Sequence, residues 1–301
     1  MHSHREETHD HHRSGKNLLL TMLLNAFITA GEVAGGILSN SLSLLSDALH
    51  NLSDTISIFI AWLAERAGRK PSNTRKTFGF RRVEILAALV NASALIAVCI
   101  YLVIEAWERL NNPREVHGLV MIVVAVIGLA GNLAGVLLLR RDSGKNINIR
   151  AAYLHLLGDT LSSVAVVGGG VLIYFFRIYW VDPVLTILIS LFILKETYAV
   201  LRQVVNILMQ AVPAGLRLEE VEQSILRISG VANVHHVHAW NLTDQEVHFE
   251  CHIDLKEDIR LSETDPIREK IEKELRDRFG IGHTTLQFEF DCCGDKRFIS
   301  H

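Results

Sequence analysis

Six long apolar runs, at about 17–38, 42–65, 83–105, 118–139, 151–173 and 183–207, fill the chain up to Gln210 and constrain it more than any other feature. A helix needs roughly 20 residues to cross a hydrocarbon core of about 30 Å, and each run reaches that length. Beyond Pro213 the sequence is that of an ordinary water-soluble domain. The pattern predicts a polytopic α-helical membrane protein: a tail over 1–16, a six-helix transmembrane bundle over 17–210 and an aqueous domain over 211–301.

None of the runs is as apolar as a simple anchor. Glu32, Asp47, His50, Asn51, Asp54, Asn91, Asn132, His155 and Asp159 all fall within them. Polar groups are costly in lipid, so these side chains are expected to face a bundle interior or a watery cavity. Gly168, Gly169 and Gly170 suit close helix packing.

Charge in the short loops sets the orientation. The second connection holds Arg66, Arg69, Lys70, Arg75, Lys76, Arg81 and Arg82, and the fourth holds Arg140, Arg141, Lys145 and Arg150. The opposite loops have no excess: 39–41 is uncharged, Glu108 and Glu115 offset Arg109 and Arg114, and 174–182 has Arg177 as its one basic residue. Both termini are therefore expected in the cytoplasm. The polar start lacks the apolar stretch of a signal peptide. The four cysteines, Cys99, Cys251, Cys292 and Cys293, are too few and scattered for a disulfide framework.

In the aqueous part, 218–228 reads as an amphipathic helix stopped by Gly230. Residues 234–242 and 246–255 alternate like strands around a turn at Thr243-Asp244. Residues 266–279 form a helix ended by Gly280, and 284–290 a last strand. The order αββαβ predicts a small α+β domain with helices on one face of a sheet.

The chemistry is concentrated in two pairs. The second run contains Asp47-Ala-Leu-His50-Asn-Leu-Ser-Asp54 and the fifth His155-Leu-Leu-Gly-Asp159. Residues four apart share one face of a helix, so each pair presents an imidazole and a carboxylate to one point. Two such helices side by side offer two nitrogens and two oxygens, a tetrahedral set suited to Zn²⁺. One pair alone reads equally well as interhelical hydrogen bonding; two at identical spacing favour a metal site. Asp47 lies near the same face and is a possible orienting carboxylate for His50.

With these motifs the chain resembles the cation diffusion facilitators, in the zinc–cobalt–cadmium branch of bacterial exporters and animal zinc transporters. Thr-Phe-Gly-Phe-Arg-Arg-Val-Glu-Ile-Leu at the third run and His-Val-His-Ala-Trp in the tail strengthen the resemblance, which covers nearly the whole chain. It implies that His50, Asp54, His155 and Asp159 bind the transported ion. It also implies a homodimer that exchanges cytoplasmic Zn²⁺, with Cd²⁺ or Co²⁺ as similar ions, for protons. Proton exchange has a chemical basis too: a zinc-ligating imidazole must be neutral, so protons and metal compete for the same nitrogen. The tail would be a metallochaperone-like, ferredoxin-type domain holding a structural or regulatory Zn²⁺. Its site residues by resemblance are His238, His252, His283, Glu289, Cys292 and Cys293, although relatives often space the cysteines as C-x-x-C. The competing reading is a set of solvated strand-face histidines. His236 and His248 are read as surface residues and Trp240 as a packing residue.

The N-terminal His2, His4, His9, His11 and His12 read either as a tract that binds and delivers metal loosely or as a dispensable tail. The short, basic 140–150 loop points to a prokaryotic inner membrane. An intramembrane metalloenzyme is one alternative, but a protease motif such as H-E-x-x-H is absent. A membrane-anchored metal sensor is another, but it would not need four ligands in the bilayer. No sequence feature suggests a nucleic-acid partner.

Overall fold

The computed structural model describes residues 26–68, 72–140, 147–291 and 297–299. The chain forms two compact units, one containing the residues up to Leu63 with Val90–Leu201, the other Ala64–Leu89 with Arg202–His301.

Six helices appear in the first two-thirds of the chain: α1 (Ala26–Ser39), α2 (Leu42–Gly68), α3 (Val83–Asn111), α4 (Gly118–Leu139), α5 (Ile147–Phe176) and α6 (Val181–Leu208). By length and apolarity, four of the described helices qualify as spans: α3, α4, the Tyr153–Phe176 part of α5, and α6. The six expected spans are thus recovered as four. The helix α1 is described only from Ala26, and the N-terminal tract and the first part of the first run lie outside the described residues. The case of α2 is different, because it is long enough but too polar.

The polarity of α2 has a structural reason. Its polar residues point to different neighbouring helices, as befits groups that face a bundle interior. The Ser46 hydroxyl lies 3.2 Å from that of Ser190 on α6. Asp47 accepts hydrogen bonds from Ser162 (2.6 Å) and Ser163 (3.1 Å) on α5. Asn51 donates to Glu32 on α1 at 3.0 Å. Asn91 on α3 donates to Ser53 and Ser57, each at 2.9 Å.

The start of α2 is fixed by Asp182, a fully buried carboxylate in the first turn of α6. It accepts the backbone N–H groups of Leu42 (2.9 Å) and Ser43 (3.1 Å) and the hydroxyls of Ser41 (2.6 Å) and Ser43 (2.7 Å). The first N–H groups of a helix have no partner within it, and a carboxylate there also meets the positive end of the helix dipole. The turn before α2 is held by Arg109, which donates to the carbonyl of Asn40 at 2.7 Å and to its side chain at 3.0 Å. Asn40 adopts φ 54°, a left-handed conformation that asparagine tolerates well.

Glycines set how closely helices approach. A Cβ on Gly169 would come within 2.4 Å of Leu185, and one on Gly170 within 2.8 Å of Ile122, in keeping with the packing role expected of that run. At Gly118, where α4 starts, a Cβ would meet the backbone nitrogen of Tyr174 at 2.8 Å. Backbone cannot rotate aside, so Gly118→Ala should push α4 from the end of α5. The expected cost is about 1–3 kcal/mol, read as a lowered Tm of the purified protein.

The second unit contains α7 (Leu218–Leu226), β1 (Val231–Asn241), β2 (Val247–Leu255), α8 (Asp265–Phe279) and β3 (His283–Glu289), the αββαβ order expected from the sequence. The sheet order is β1-β2-β3, with β1 antiparallel and β3 parallel to β2. Val221 and Ile225 from α7 and Ile271 and Leu275 from α8 pack on Val234, Phe249, Cys251 and Ile253 of the sheet. Gly280 ends α8 in the left-handed conformation, φ 68°.

Candidate metal sites

The two His-x-x-x-Asp pairs face each other. The Nε2 of His155 lies 3.0 Å from Asp54 Oδ2 and 3.7 Å from Asp159 Oδ2. The Nε2 of His50 lies 3.4 Å from Asp159 Oδ1 and 3.7 Å from Asp54 Oδ2. Each residue offers a ligand atom, and the four atoms lie within 4.8 Å of one another. His50 and Asp159 are buried, whereas Asp54 and His155 are more open, so the cluster has a closed side and an accessible side.

Two details suit a cation. The buried Nε2 of His50 meets only the two carboxylates, at 3.4 and 3.7 Å and without good hydrogen-bond geometry, whereas such groups are ordinarily well satisfied in a folded protein. Two carboxylates also converge on this one point, and like charges repel unless something positive lies between them. Asp47 is directed differently from expectation: its carboxylate binds Ser162 and Ser163 of α5, and Ser163 also accepts from Asn132 of α4 at 3.3 Å. Asp47 therefore ties the turn of α2 that carries His50 to the turn after Asp159.

The second unit holds another cluster, made by a bulge. The ladder between β1 and β2 shifts between His235 and His238, and His236 takes φ 52°. A bulge of this kind changes which residues of a strand share a face. As a result His235, fully buried, pairs across the ladder with His252, while His238 pairs with Glu250. His235, His236 and His252 offer ligand atoms within 4.8 Å of one another. Glu289 joins them from β3, its carboxylate 2.8 Å from His252 Nδ1 and 3.4 Å from His235 Nε2. The Nδ1 of His235 is buried without a hydrogen bond among the described residues. Three imidazoles and a carboxylate with an unsatisfied buried nitrogen fit a resident divalent metal, which would fasten β1, β2 and β3 together.

Of the expected tail residues, His252 and Glu289 lie together with His235, which the bulge brings opposite His252, while His238 lies opposite Glu250. His283 is also elsewhere, paired with His248 with ring centroids 4.4 Å apart. It starts β3 and Glu289 ends it, about 20 Å along an extended strand. Cys292 and Cys293 lie outside the described residues. His236 and His248, read from sequence as surface groups, are half-buried and buried respectively. Trp240 stacks on His248 at 5.5 Å and Phe78 meets it edge-on at 5.5 Å.

Burial, with His283 beside it, pushes His248 below the usual histidine range; Arg81 and Arg82 add to this and Glu246 opposes it. A lowered folded pKa means that the neutral ring supports the fold. That contribution is complete above about pH 6.5, the value of free imidazole, and is lost as pH falls through the lower folded value. The Tm of the purified protein should therefore fall between pH 7 and pH 5.5, and His248→Gln should flatten the slope.

The description "cation efflux transmembrane domain" fits residues 18–209, and "cation efflux protein, cytoplasmic domain" fits residues 213–291. The chain belongs to the cation efflux family. Members of this family are membrane transporters of metal cations, not enzymes, which removes the metalloenzyme alternative. The chain is 38% identical over 283 residues to the cadmium, cobalt and zinc/H⁺-K⁺ antiporter of Bacillus subtilis, covering 92% of this chain and 91% of that protein. It is 36% identical over 296 residues to the metal cation efflux system protein CzcD of Cupriavidus metallidurans, covering 97% and 93%. It is 38% identical over 294 residues to the zinc transporter ZitB of Escherichia coli, again covering 97% and 93%.

Proposed function

We propose that this cation efflux protein is a Zn²⁺/H⁺ antiporter, able to take Cd²⁺ or Co²⁺ as related ions. It removes Zn²⁺ from the cytoplasm through a six-helix bundle over 17–210. It works as a homodimer in a prokaryotic inner membrane, with both termini and the 211–301 domain in the cytoplasm. The observation that carries this reading is the convergence of His50, Asp54, His155 and Asp159 from α2 and α5.

Two imidazoles and two carboxylates are a donor set that Zn²⁺ accepts in tetrahedral geometry, and they distinguish it from the oxygen-seeking Mg²⁺ and Ca²⁺. The names of the relatives in Bacillus subtilis and Escherichia coli support zinc as cargo. The site lies within helices that span the bilayer, so moving the ion requires the bundle to open alternately to each side. Protons supply the exchange: an imidazole that accepts a proton on the outer side can no longer hold zinc, so protonation of His50 and His155 favours release. Asp47 keeps α2 and α5 in register through Ser162 and Ser163 while the site loads.

In the cytoplasmic domain, His235, His236, His252 and Glu289 would hold a Zn²⁺ that stabilises one arrangement of the tail and links export to cytosolic zinc. The test of the exchange is zinc uptake into inside-out vesicles with and without an imposed pH gradient. Uptake should be accelerated when the interior is acidic. Equal rates in both conditions would remove protons from the mechanism.

A further inference from the structure

The loop between α2 and α3 and the ends of α3 and α6 meet in a feature that metal transport does not use. Residues 66–82 carry Arg66, Arg69, Lys70, Arg75, Lys76, Arg81 and Arg82 without one Asp or Glu. Ile85, Ala88 and Leu89 of α3 pack against Val204, Ile207 and Leu208 of α6, so the start of α3 and the end of α6 lie side by side. A cavity of about 230 Å³ lies just past that point, lined by Phe78, Gly79, Arg81, Arg82, Gln210 and Trp240.

We propose that this cavity binds the phosphate headgroup of an anionic phospholipid. The Nε of Arg82 is buried and finds no hydrogen-bond acceptor among the described residues. A buried donor on a permanent cation is costly unless an acceptor reaches it. Glu246 pairs with Arg81, and Glu84 and Asp244 lie in the same region, so an anion here would be held against these carboxylates by Arg82 and the rest of the basic loop. Lys76 stays close to the loop with its ammonium 3.8 Å over the Phe80 ring.

A guanidinium fork matches the oxygens of a phosphate, and the N-terminus of α3, beginning at Val83, adds the positive end of a helix dipole. Free phosphate shares this chemistry. A lipid is favoured because the cavity lies beside the ends of two helices long and apolar enough to cross a bilayer, where headgroups would be at high local concentration. The bound headgroup would join the α2–α3 loop and the end of α6 to the bilayer.

The test is lipid-dependent thermal unfolding of the full-length protein in detergent, titrated with phosphatidylglycerol, with phosphatidylcholine, or with inorganic phosphate at matched concentration. Phosphatidylglycerol should raise the midpoint most. Each basic side chain contributes about 1 kcal/mol to such binding, so Arg82→Gln should raise the half-maximal lipid concentration about fivefold. Arg81→Gln, at an exposed position that tolerates change, should weaken the response in the same direction, and Arg114→Gln on another loop should not. An identical phosphatidylglycerol response in wild type, Arg82→Gln and Arg81→Gln would overturn the proposal. So would inorganic phosphate that stabilises as well as the lipid, since the site would then take a free anion.

Discussion

Replacing Asp159 with Ala should abolish zinc uptake by proteoliposomes while leaving the amount of folded protein unchanged. Asp159 is buried, and its two oxygens lie 3.4 Å from His50 and 3.7 Å from His155, so it touches both imidazoles of the cluster. Losing a group that merely orients a metal ligand costs about 10–100-fold, and losing a ligand itself costs more, so uptake should fall by more than ~100-fold. Asp47→Ala provides the contrast. Asp47 acts through Ser162 and Ser163 rather than on the ion, so its removal should cost about 10–100-fold. Asp47→Asn, which can still accept a hydrogen bond, should recover part of that loss. Full activity in Asp159→Ala would mean that the carboxylate serves only helix packing.

The second large effect concerns the fold. Asp182→Ala should lower the Tm of the purified protein sharply and reduce its yield in membranes. The substitution removes four hydrogen bonds to one carboxylate and leaves the N–H groups of Leu42 and Ser43 without partners in a buried place. Hydrogen bonds to charged groups contribute about 1.5–3 kcal/mol each, and because the four are not independent a total loss of at least ~3 kcal/mol is expected. Asp182→Asn should be milder, since its amide oxygen can still accept. A Tm unchanged in Asp182→Ala would show that α2 does not depend on this cap.

These two aspartates also show what a sequence reveals and what it conceals. Asp159 was legible because its partner His155 is four residues away, and helix periodicity alone puts the two on one face. The second pair on another run made a shared site the economical reading. Asp182 was not legible: its partners are about 140 residues distant, and at the end of a loop it looks like any polar residue beside a helix. The polar residues of α2 were recognised as facing inward. Their assignment to α1, α3, α5 and α6 in turn required the packing itself.

In the cytoplasmic domain the order of helices and strands followed from alternation and from Gly230 and Gly280, each of which adopts a positive φ. The membership of the histidine cluster did not follow. A positive φ at His236 is unusual for a residue other than glycine, so nothing local announced the bulge that brings His235 opposite His252. The burial of His248 likewise depends on Trp240 and on Phe78, the latter 170 residues earlier in the chain.

The central claim is that one zinc ion is held between α2 and α5. It is tested most directly by counting zinc bound to purified protein in which His235 and His252 are both replaced by Ala, so that the cytoplasmic cluster is disabled. Calorimetric titration should then find one zinc per chain, and that ion should disappear when His155→Ala is added. A zinc stoichiometry that is the same with and without His155 would contradict the account.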